Sequence, residues 1–252
     1  MITPELAEII GIYSGDGYLR FIGSRKELDI SGNYEEKDYY DTHVIPLFSK
    51  FFNVPVKGQF FHSRRTYGFV IRERKVLEIF KELGFISGNK SLSIRILDEI
   101  KYSKDITIIT SFLRGYFDTD GCLTFRNRRG DKNYNEFKRK YHYHPRIELT
   151  SVSKNLIIDV ELLLKRLGFR NYMCVKIPKN KKWNINYTLT MMGEENLLKW
   201  MKLIGTKNTS RMSRYLIWQK YGFLPPYTTF EQRINILDGK KDSSELYSGP
   251  VV

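Results

Sequence analysis

Two aspartates, each followed by glycine, end two similar apolar segments of this chain. Residues 9–17 read IIGIYSGDG and residues 113–121 read LRGYFDTDG, so Asp16 and Asp120 are 104 positions apart. Each segment has small residues at its third and seventh positions, which fall on one face of a helix. Small residues there allow two helices to pack backbone to backbone. The spacing therefore predicts a helix pair, or seam, that delivers both carboxylates to one place; the small residues at the predicted contact are Gly11, Gly15, Gly115 and Thr119.

Two adjacent carboxylates repel each other and raise each other's pKa unless a cation lies between them. Mg²⁺ suits such a site because it needs few protein oxygens and takes its other ligands from water and phosphate. Asp16 and Asp120 are therefore predicted metal ligands, with the preceding Gly15 and Thr119 at the same site. A calcium loop at 118–121 is disfavoured because the expected downstream glutamate is absent. An aspartic-protease pair is disfavoured because both aspartates follow predicted helices.

The charge of the chain indicates a polyanionic partner. Its 252 residues include 42 Lys and Arg against 28 Asp and Glu, a formal net charge of +14. Such an excess is typical of nucleic-acid binding, although a generally basic soluble protein also fits. Carboxylates, Mg²⁺ and nucleic acid together predict phosphodiester hydrolysis by metal-activated water.

Composition also limits the cellular setting. Cys122 and Cys174 form no CxxC pair, so neither a zinc site nor a disulfide framework is expected, and a reducing compartment fits. No apolar run has the ~18 residues of a membrane span, and the first residues, MITPEL, lack a basic secretory region. We expect a cytoplasmic or nucleoid protein, or an organellar-matrix one in a eukaryote, that binds no membrane.

The remaining pattern predicts two similar halves around the seam. Thr3, Pro4 and Glu5 predict a helix start, and the order in each half is αββαββα. The predicted halves are residues 1–102 and 103–222, followed by a polar extension at 223–252. Within this order the pattern predicts a single helix over 37–52, a strand over 56–61, a helix over 107–118, a basic insertion over 126–146 and a last helix over 215–222.

With these features, the chain resembles the single-chain, two-motif LAGLIDADG homing endonucleases. The resemblance rests on residues 9–17 and 113–121, on the αββαββα order, and on a Gly-x-Lys stretch that follows the last helix of each half and ends at Lys90 and Lys207. It implies an α+β fold in which each half carries an antiparallel, saddle-shaped sheet along the major groove. It also implies a staggered double-strand break across the minor groove, with one carboxylate for each strand.

The resemblance further implies roles for individual residues. Asp16 and Asp120 would hold Mg²⁺ or Mn²⁺, Ca²⁺ would bind without supporting cleavage, and Lys90 and Lys207 would be the catalytic basic residues. Outward side chains of the strands would contact double-stranded DNA, with Arg suited to guanine and Asn to adenine. The DNA-binding candidates are Arg20, Arg25, Arg64, Arg72, Arg126, Lys176, Lys182 and Asn184.

Three functions fit this pattern. The first is a monomeric, site-specific endonuclease, intron-encoded or free-standing, that cuts a long non-palindromic target. The second is a maturase that binds intron RNA and assists splicing. The third is a DNA-binding regulator without catalysis, which the presence of both Asp16 and Asp120 disfavours.

Overall fold

The computed structural model describes residues 2–21, 23, 26–88, 90–126 and 142–243. Its first half contains one long helix, two hairpins and shorter helices. The predicted single helix over 37–52 is wrong in detail, because a π-helical turn interrupts it. The elements are α1 (Pro4–Asp16), β1 (Gly17–Arg20), β2 (Glu27–Asn33), a 3₁₀ turn (Tyr34–Glu36), α2 (Lys37–Tyr39), the π turn (Tyr40–Val44), α3 (Ile45–Phe52), β3 (Gln59–Phe61), β4 (Thr66–Ile71) and α4 (Arg74–Glu82).

The second half repeats this plan after the short helix α5 (Asp98–Lys101). Its elements are α6 (Ile106–Asp120), β5 (Gly121–Arg126), β6 (His144–Ser151), α7 (Lys154–Arg166), β7 (Tyr172–Lys176), β8 (Asn186–Met192) and α8 (Glu194–Leu203). Two more helices follow, α9 (Thr209–Tyr221) and α10 (Phe230–Leu237). Most of the predicted basic insertion, residues 127–141, lies outside the described residues.

Each half forms one four-stranded antiparallel sheet. The strand orders are β1-β2-β4-β3 and β5-β6-β8-β7, so the third strand of each half lies at an edge. Residues directly opposite each other on paired strands share a face. On the core face, Leu19 lies opposite Leu28, and Leu28 opposite Ile71. All three are buried, so the alternate residues of these strands occupy the outward face.

The predicted seam is confirmed, and it consists of α1 packed against α6. A Cβ atom added at Gly11 would lie 2.3 Å from the carbonyl oxygen of Phe112, and one at Gly115 would lie 2.3 Å from that of Glu8. The two contacts are equivalent, because the 104-residue offset relates Gly11 to Gly115 and Glu8 to Phe112. Glycine is required at these crossings because the backbone of the opposite helix occupies the place of a side chain.

The ends of α1 follow from its sequence. Thr3 caps the helix by accepting a hydrogen bond from the amide of Leu6, and Pro4 begins it, as predicted. The helix ends at Asp16 because Gly17 is extended, and the same change at Gly121 ends α6 at Asp120. Both helices therefore lead directly from an aspartate into the first strand of their sheet.

The two C-terminal helices differ from the prediction. Helix α9 starts six residues earlier than expected because Asn208 caps it, accepting from the amides of Ser210 and Arg211. The extension at 223–252, predicted as a polar tail, contains α10, which begins with a capping box of Thr229 and Gln232. Arg233 of α10 is 1% exposed and donates to hydroxyls of Ser210 and Ser213. The extension thus packs against the helix that carries Arg211.

Two further findings concern membrane spans and cysteines. No helix in the ranges that the structure describes is long and apolar enough to cross a membrane. Cys122 and Cys174 are both free thiols at exposed positions.

Candidate active site at the foot of the helix seam

The seam brings the two predicted aspartates to one place. Asp16 and Asp120 are the last residues of α1 and α6, whose ends lie together. A Cβ atom added at Gly15 would lie 2.2 Å from the hydroxyl of Thr119 and 3.2 Å from the carboxyl carbon of Asp120. The helix ends therefore meet as closely as Gly15 permits, and the carboxylate from one half lies beside the backbone of the other.

Burial and like charge act on both carboxyl groups. Burial, then Asp120 and Glu36, raise the pKa of Asp16 to about 8, although Tyr40 donates to its Oδ2 over 2.6 Å. Burial also raises the pKa of Asp120, against the opposing effects of Lys90 and Arg211. Two buried carboxylates with raised pKa values are under-compensated by the surrounding protein, so their ionised forms require additional positive charge.

Lys90 lies at the site, where the sequence placed a basic residue. Its ammonium donates to the carbonyl oxygens of Ser14 (3.0 Å) and Gly15 (3.2 Å) and lies 5.2 Å from the ring centre of Tyr13. The side chain is 9% exposed. Burial lowers the pKa of Lys90 to about 8, and the charges of Asp120 and Asp16 limit the decrease. Lys90 is therefore a buried donor at the last turn of α1.

Lys207 does not occupy the corresponding place in the second half. Its side chain is exposed, and its contact with the site region is through its backbone amide, which donates to Asp118 over 2.7 Å. Arg211 takes that place instead. Its guanidinium donates to the carbonyl oxygens of Thr119 and Gly121, each over 2.7 Å. Sequence reasoning missed Arg211 because Lys207 follows its helix at a spacing similar to that of Lys90.

Glu36 is a second residue that the sequence did not reveal. It lies in the 3₁₀ turn of the first half, and its Oε1 accepts from Arg211 over 2.7 Å and from Asn208 over 2.9 Å. A Cβ atom added at Gly32 would lie 2.7 Å from Asp16 Oδ2 and 3.0 Å from Glu36 Oε2. The glycine therefore leaves room for two carboxylates. An acid four residues after a strand glycine is too common a pattern to have predicted this.

Asp118 has a structural role that separates it from the neighbouring Asp120. It is fully buried and accepts from the hydroxyl of Thr206, the amide of Lys207 and, at its backbone carbonyl, the amide group of Asn208. Burial raises its pKa to about 6, although Arg211 and these donors favour the charged form. Asp118 thus fixes the segment that leads into α9 and so helps to place Arg211.

A cavity of about 320 Å³ opens beside the site. Its walls include Asp120, Lys90 and Gly15 from the site and Ser151 from β6. In the first sheet, Ser31 near the end of β2 donates to Asp29 over 2.9 Å. The cavity therefore connects Asp120 with the end of the second sheet.

The donor set fits a hard divalent cation. Asp16 and Asp120 supply carboxylate oxygens, and Gly32 leaves the space next to Asp16 free of a side chain. The carbonyl oxygens of Gly15 and Thr119, the other predicted ligands, instead accept from Lys90 and Arg211. Within the described ranges, no group of three or more His, Cys, Asp or Glu side chains could hold a metal ion. Two carboxylates nevertheless suffice for Mg²⁺, which keeps several waters and shares phosphate oxygens.

The predicted DNA-binding residues fall into three groups. Arg20, Arg126 and Lys176 end β1, β5 and β7, and Arg72 directly follows β4. Arg64, Lys182 and Asn184 lie in the hairpin loops β3–β4 and β7–β8. These three residues therefore lie outside the strands, within which the sequence predicted the DNA-binding candidates. Arg25 lies outside the described residues. Each sheet therefore presents basic side chains both at its ends and on its loops.

Comparison with known proteins identifies the architecture. A family model described as a LAGLIDADG-like domain matches residues 107–205, the region that contains α6, both hairpins of the second sheet and α8. The chain has the LAGLIDADG fold. The predicted resemblance and the predicted α+β class with two antiparallel sheets are both confirmed.

Solved structures with the LAGLIDADG fold match most of the chain. Mesophilic variants of the homing endonuclease I-DmoI match with a TM-score of 0.52 and 20% identity over 80% of this chain and 88% of theirs. I-DmoI in complex with DNA and Mn matches with a TM-score of 0.52 and 19% identity, over 80% and 96% of the two chains. The complex with DNA and Ca has the same TM-score and identity, over 80% and 88%. These likenesses concern the fold, and no curated protein sequence matches the chain.

Proposed function

We propose that this protein is a site-specific DNA endonuclease that hydrolyses both strands of a long, non-palindromic duplex with the help of a divalent cation. The observation that carries the proposal is the meeting of Asp16 and Asp120 at the foot of a seam between two sheets, each carboxylate accompanied by a buried basic residue. Its fold is that of I-DmoI, whose solved complexes contain DNA and Mn or Ca. We further propose that the chain acts as a monomer and is intron-encoded or free-standing.

Asp16 and Asp120 are the groups that would hold the cation. When bound, Mg²⁺ or Mn²⁺ supplies Lewis-acid activation of water and of the scissile phosphate, whereas Ca²⁺ would support binding alone. Each aspartate faces one DNA strand, because the seam axis relates the two halves. Burial raises the pKa of both carboxyl groups, and a bound cation would favour their ionised forms.

The buried cations would stabilise the charge that develops on the phosphate. Lys90 accompanies the first half of the site and Arg211 the second, each anchored to the backbone that carries an aspartate. Removal of one such preorganised electrostatic group lowers the reaction rate by a factor of about 10²–10³. Lys207, exposed at the rim, would contact the DNA backbone instead.

The test is selection of cleaved molecules from a random duplex library with Mg²⁺, followed by sequencing of the cut ends. The proposal expects one long consensus with both strands cut at a fixed stagger. Asp120→Asn should bind the selected duplex as the wild type does and leave at least one strand intact. Recovery of no cleaved molecules, together with a tightly bound motif selected from the same library in Ca²⁺, would exclude the endonuclease and favour the regulator.

A maturase that binds intron RNA would give a different result. The same sheets could contact the folded RNA of the intron that encodes the protein, in which case an Asp16→Asn, Asp120→Asn double variant would promote splicing as well as the wild type. Parallel measurements of DNA cleavage and of splicing with these variants separate the two activities.

A further inference from the structure

Three arginines near the outward faces of the two sheets form ion pairs with carboxylates on the same faces. The Arg64–Asp29 pair has an N–O distance of 2.8 Å, Arg72–Glu27 one of 3.1 Å and Arg146–Glu148 one of 2.7 Å. The first two pairs belong to the first sheet and the third to the second sheet. Both halves therefore carry the same type of pair.

The strand register places these carboxylates away from the core. Asp29 lies between the fully buried Leu28 and Ile30, and it is opposite Tyr18 and Val70, not the core residues. Glu148 lies between the buried Ile147 and Leu149 in the same manner. The acids thus occupy the faces that the proposed function assigns to DNA.

Carboxylates are costly on such a face. A chain of net charge +14 gains DNA affinity by neutralising phosphates, and each acid opposite the backbone reduces that gain. Exposed ion pairs also contribute little to stability, typically less than about 1 kcal/mol. The pairs therefore call for a role other than phosphate binding or folding, and the geometry of the guanidinium groups indicates one.

Arg64 is fixed from two sides. Its guanidinium donates to Asp29 and lies 4.2 Å from the ring centre of Phe61, while Ser31 donates to the other oxygen of Asp29. The contacts restrain the edge and the plane of the group, and the side chain remains 45% exposed. A guanidinium has five N–H donors, so donors remain for a ligand above the sheet.

Arg146 is also held from two sides. One of its terminal nitrogens contacts Glu148 over 2.7 Å, and its side chain is 18% exposed. The same nitrogen donates to the hydroxyl of Thr190 over 3.5 Å. Glu148 and Thr190 therefore fix one edge of this guanidinium, as Asp29 fixes that of Arg64.

The geometry points to Asp29 and Glu148 as specificity-determining residues that hold Arg64 and Arg146 in position to read guanine. This inference rests on the proposed function. Guanine presents N7 and O6 to the major groove, and arginine binds both with two parallel hydrogen bonds. A carboxylate that already orients the guanidinium reduces the ordering required on binding and disfavours a shift to phosphate. Arg72, 71% exposed beside Glu27, is the more loosely held third member.

The test compares isosteric amides. Wild type, Asp29→Asn, Glu148→Gln and the control Glu78→Gln are each incubated with a random DNA duplex library in Ca²⁺, and the bound molecules are sequenced. Glu78 pairs with Arg74 along helix α4, outside both sheets, so its substitution removes one negative charge without touching an outward face. Thermal unfolding is recorded for every variant.

Asp29→Asn and Glu148→Gln should each reduce the preference for guanine about tenfold at the one base pair that the paired arginine contacts. Because Asp29 and Glu148 belong to different sheets, the two positions should lie in opposite halves of the motif. Affinity for random duplex should rise about two- to threefold in all three variants, since each loses one negative charge. Arg64→Lys keeps the charge and should weaken the same position as Asp29→Asn, which provides the test if the latter folds poorly.

Two results would overturn the inference. In the first, Asp29→Asn and Glu148→Gln select the wild-type motif as strongly as Glu78→Gln does, which would leave the pairs as cross-strand contacts only. In the second, the variants weaken the preference uniformly along the motif, which would make the arginines phosphate ligands. If the wild type selects no motif, the proposed function itself fails, which is a distinguishable outcome.

Discussion

Lys90 and Arg211 donate hydrogen bonds to backbone carbonyls of equivalent positions, those of Gly15 and Thr119, which lie 104 residues apart. The two halves of the chain therefore each place one buried cation at the end of one seam helix. The two cations have different partners: Arg211 also donates to Glu36 from the other half, whereas Lys90 donates to the backbone oxygens of Ser14 and Gly15. The two halves of the site are thus related in position but unequal in chemistry.

The first prediction concerns which basic residues serve cleavage. Lys90→Ala and Arg211→Ala should each slow cleavage of one strand about 10²–10³-fold, a different strand for each, because each removes one electrostatic donor. Lys207→Ala should change neither strand's rate by more than a few-fold, because that side chain is exposed at the rim. Single-turnover cleavage of a duplex labelled on either strand measures both rates.

A loss in Lys207→Ala as large as that in Arg211→Ala would contradict this assignment. Arg211→Lys is the control for folding. It keeps a buried cation, so it should unfold with a midpoint closer to that of the wild type than Arg211→Ala and recover part of the rate.

The second prediction contrasts two aspartates of the seam. Asp16→Asn in EDTA should raise the free energy of unfolding at pH 7 by about 1–2 kcal/mol, because burial and the neighbouring acids force Asp16 to take up a proton on folding and asparagine avoids that cost. Asp118→Asn should lower that free energy by about 2–3 kcal/mol, because Asp118 accepts from Thr206 and Lys207 and an amide cannot accept in the same way. Urea unfolding measures both values.

The two substitutions should also differ in activity. Asp16→Asn should abolish cleavage and retain DNA binding. If Asp16→Asn proves less stable than the wild type in EDTA, the raised pKa of this carboxyl group would not reflect an uncompensated charge.

The third prediction is a pH dependence of stability that originates in the seam. Glu8 accepts from Arg114 over 2.6 and 3.1 Å and contacts His43 at 2.7 Å. These partners outweigh burial and lower its pKa from 4.5 to about 2. A carboxyl group with a depressed folded-state pKa stabilises the protein above its unfolded pKa, and that contribution is lost as the pH falls from 4.5 through 2.

The measurement is urea unfolding of the wild type and Glu8→Gln at several pH values. Glu8→Gln should be less stable by roughly 2–3 kcal/mol at pH 7, and the difference should shrink as the pH approaches 2. Glu161→Gln, which alters a pair with Lys165 along α7, is the matched control and should differ from the wild type by less than about 0.5 kcal/mol. A difference for Glu8→Gln that is independent of pH would assign the loss to packing.

The fourth prediction tests the close approach of the helices. Gly11→Ala and Gly115→Ala should each destabilise the protein by several kcal/mol, about 3 or more, because the added Cβ meets a backbone carbonyl at 2.3 Å. Gly84→Ala is the control. It has a positive φ of 84° but open space around it, so only the conformational cost of about 1 kcal/mol applies. Equal losses in all three variants would mean that the seam is not tightly packed.

The sequence determined the elements whose signals are local. The cap at Thr3 indicated where α1 starts, and the duplication at 104 residues predicted paired sheets and a seam ending in Asp16 and Asp120. Those features follow from residue type and spacing, because helix ends and small-residue contacts have short-range causes. The capping box of Thr229 and Gln232 could also have predicted α10 by the same reasoning.

Tertiary structure alone decided which groups surround the aspartates. Glu36 and Arg211 lie 175 positions apart, and their contact depends on where the 3₁₀ turn of one half meets α9 of the other. Lys207 and Arg211 are separated by one helical turn, and only the cap at Asn208 turns the arginine inward and leaves the lysine outside. The pairing of Arg64 with Asp29 likewise depends on strand register and on the fold of a hairpin loop, which side-chain spacing along the chain does not specify.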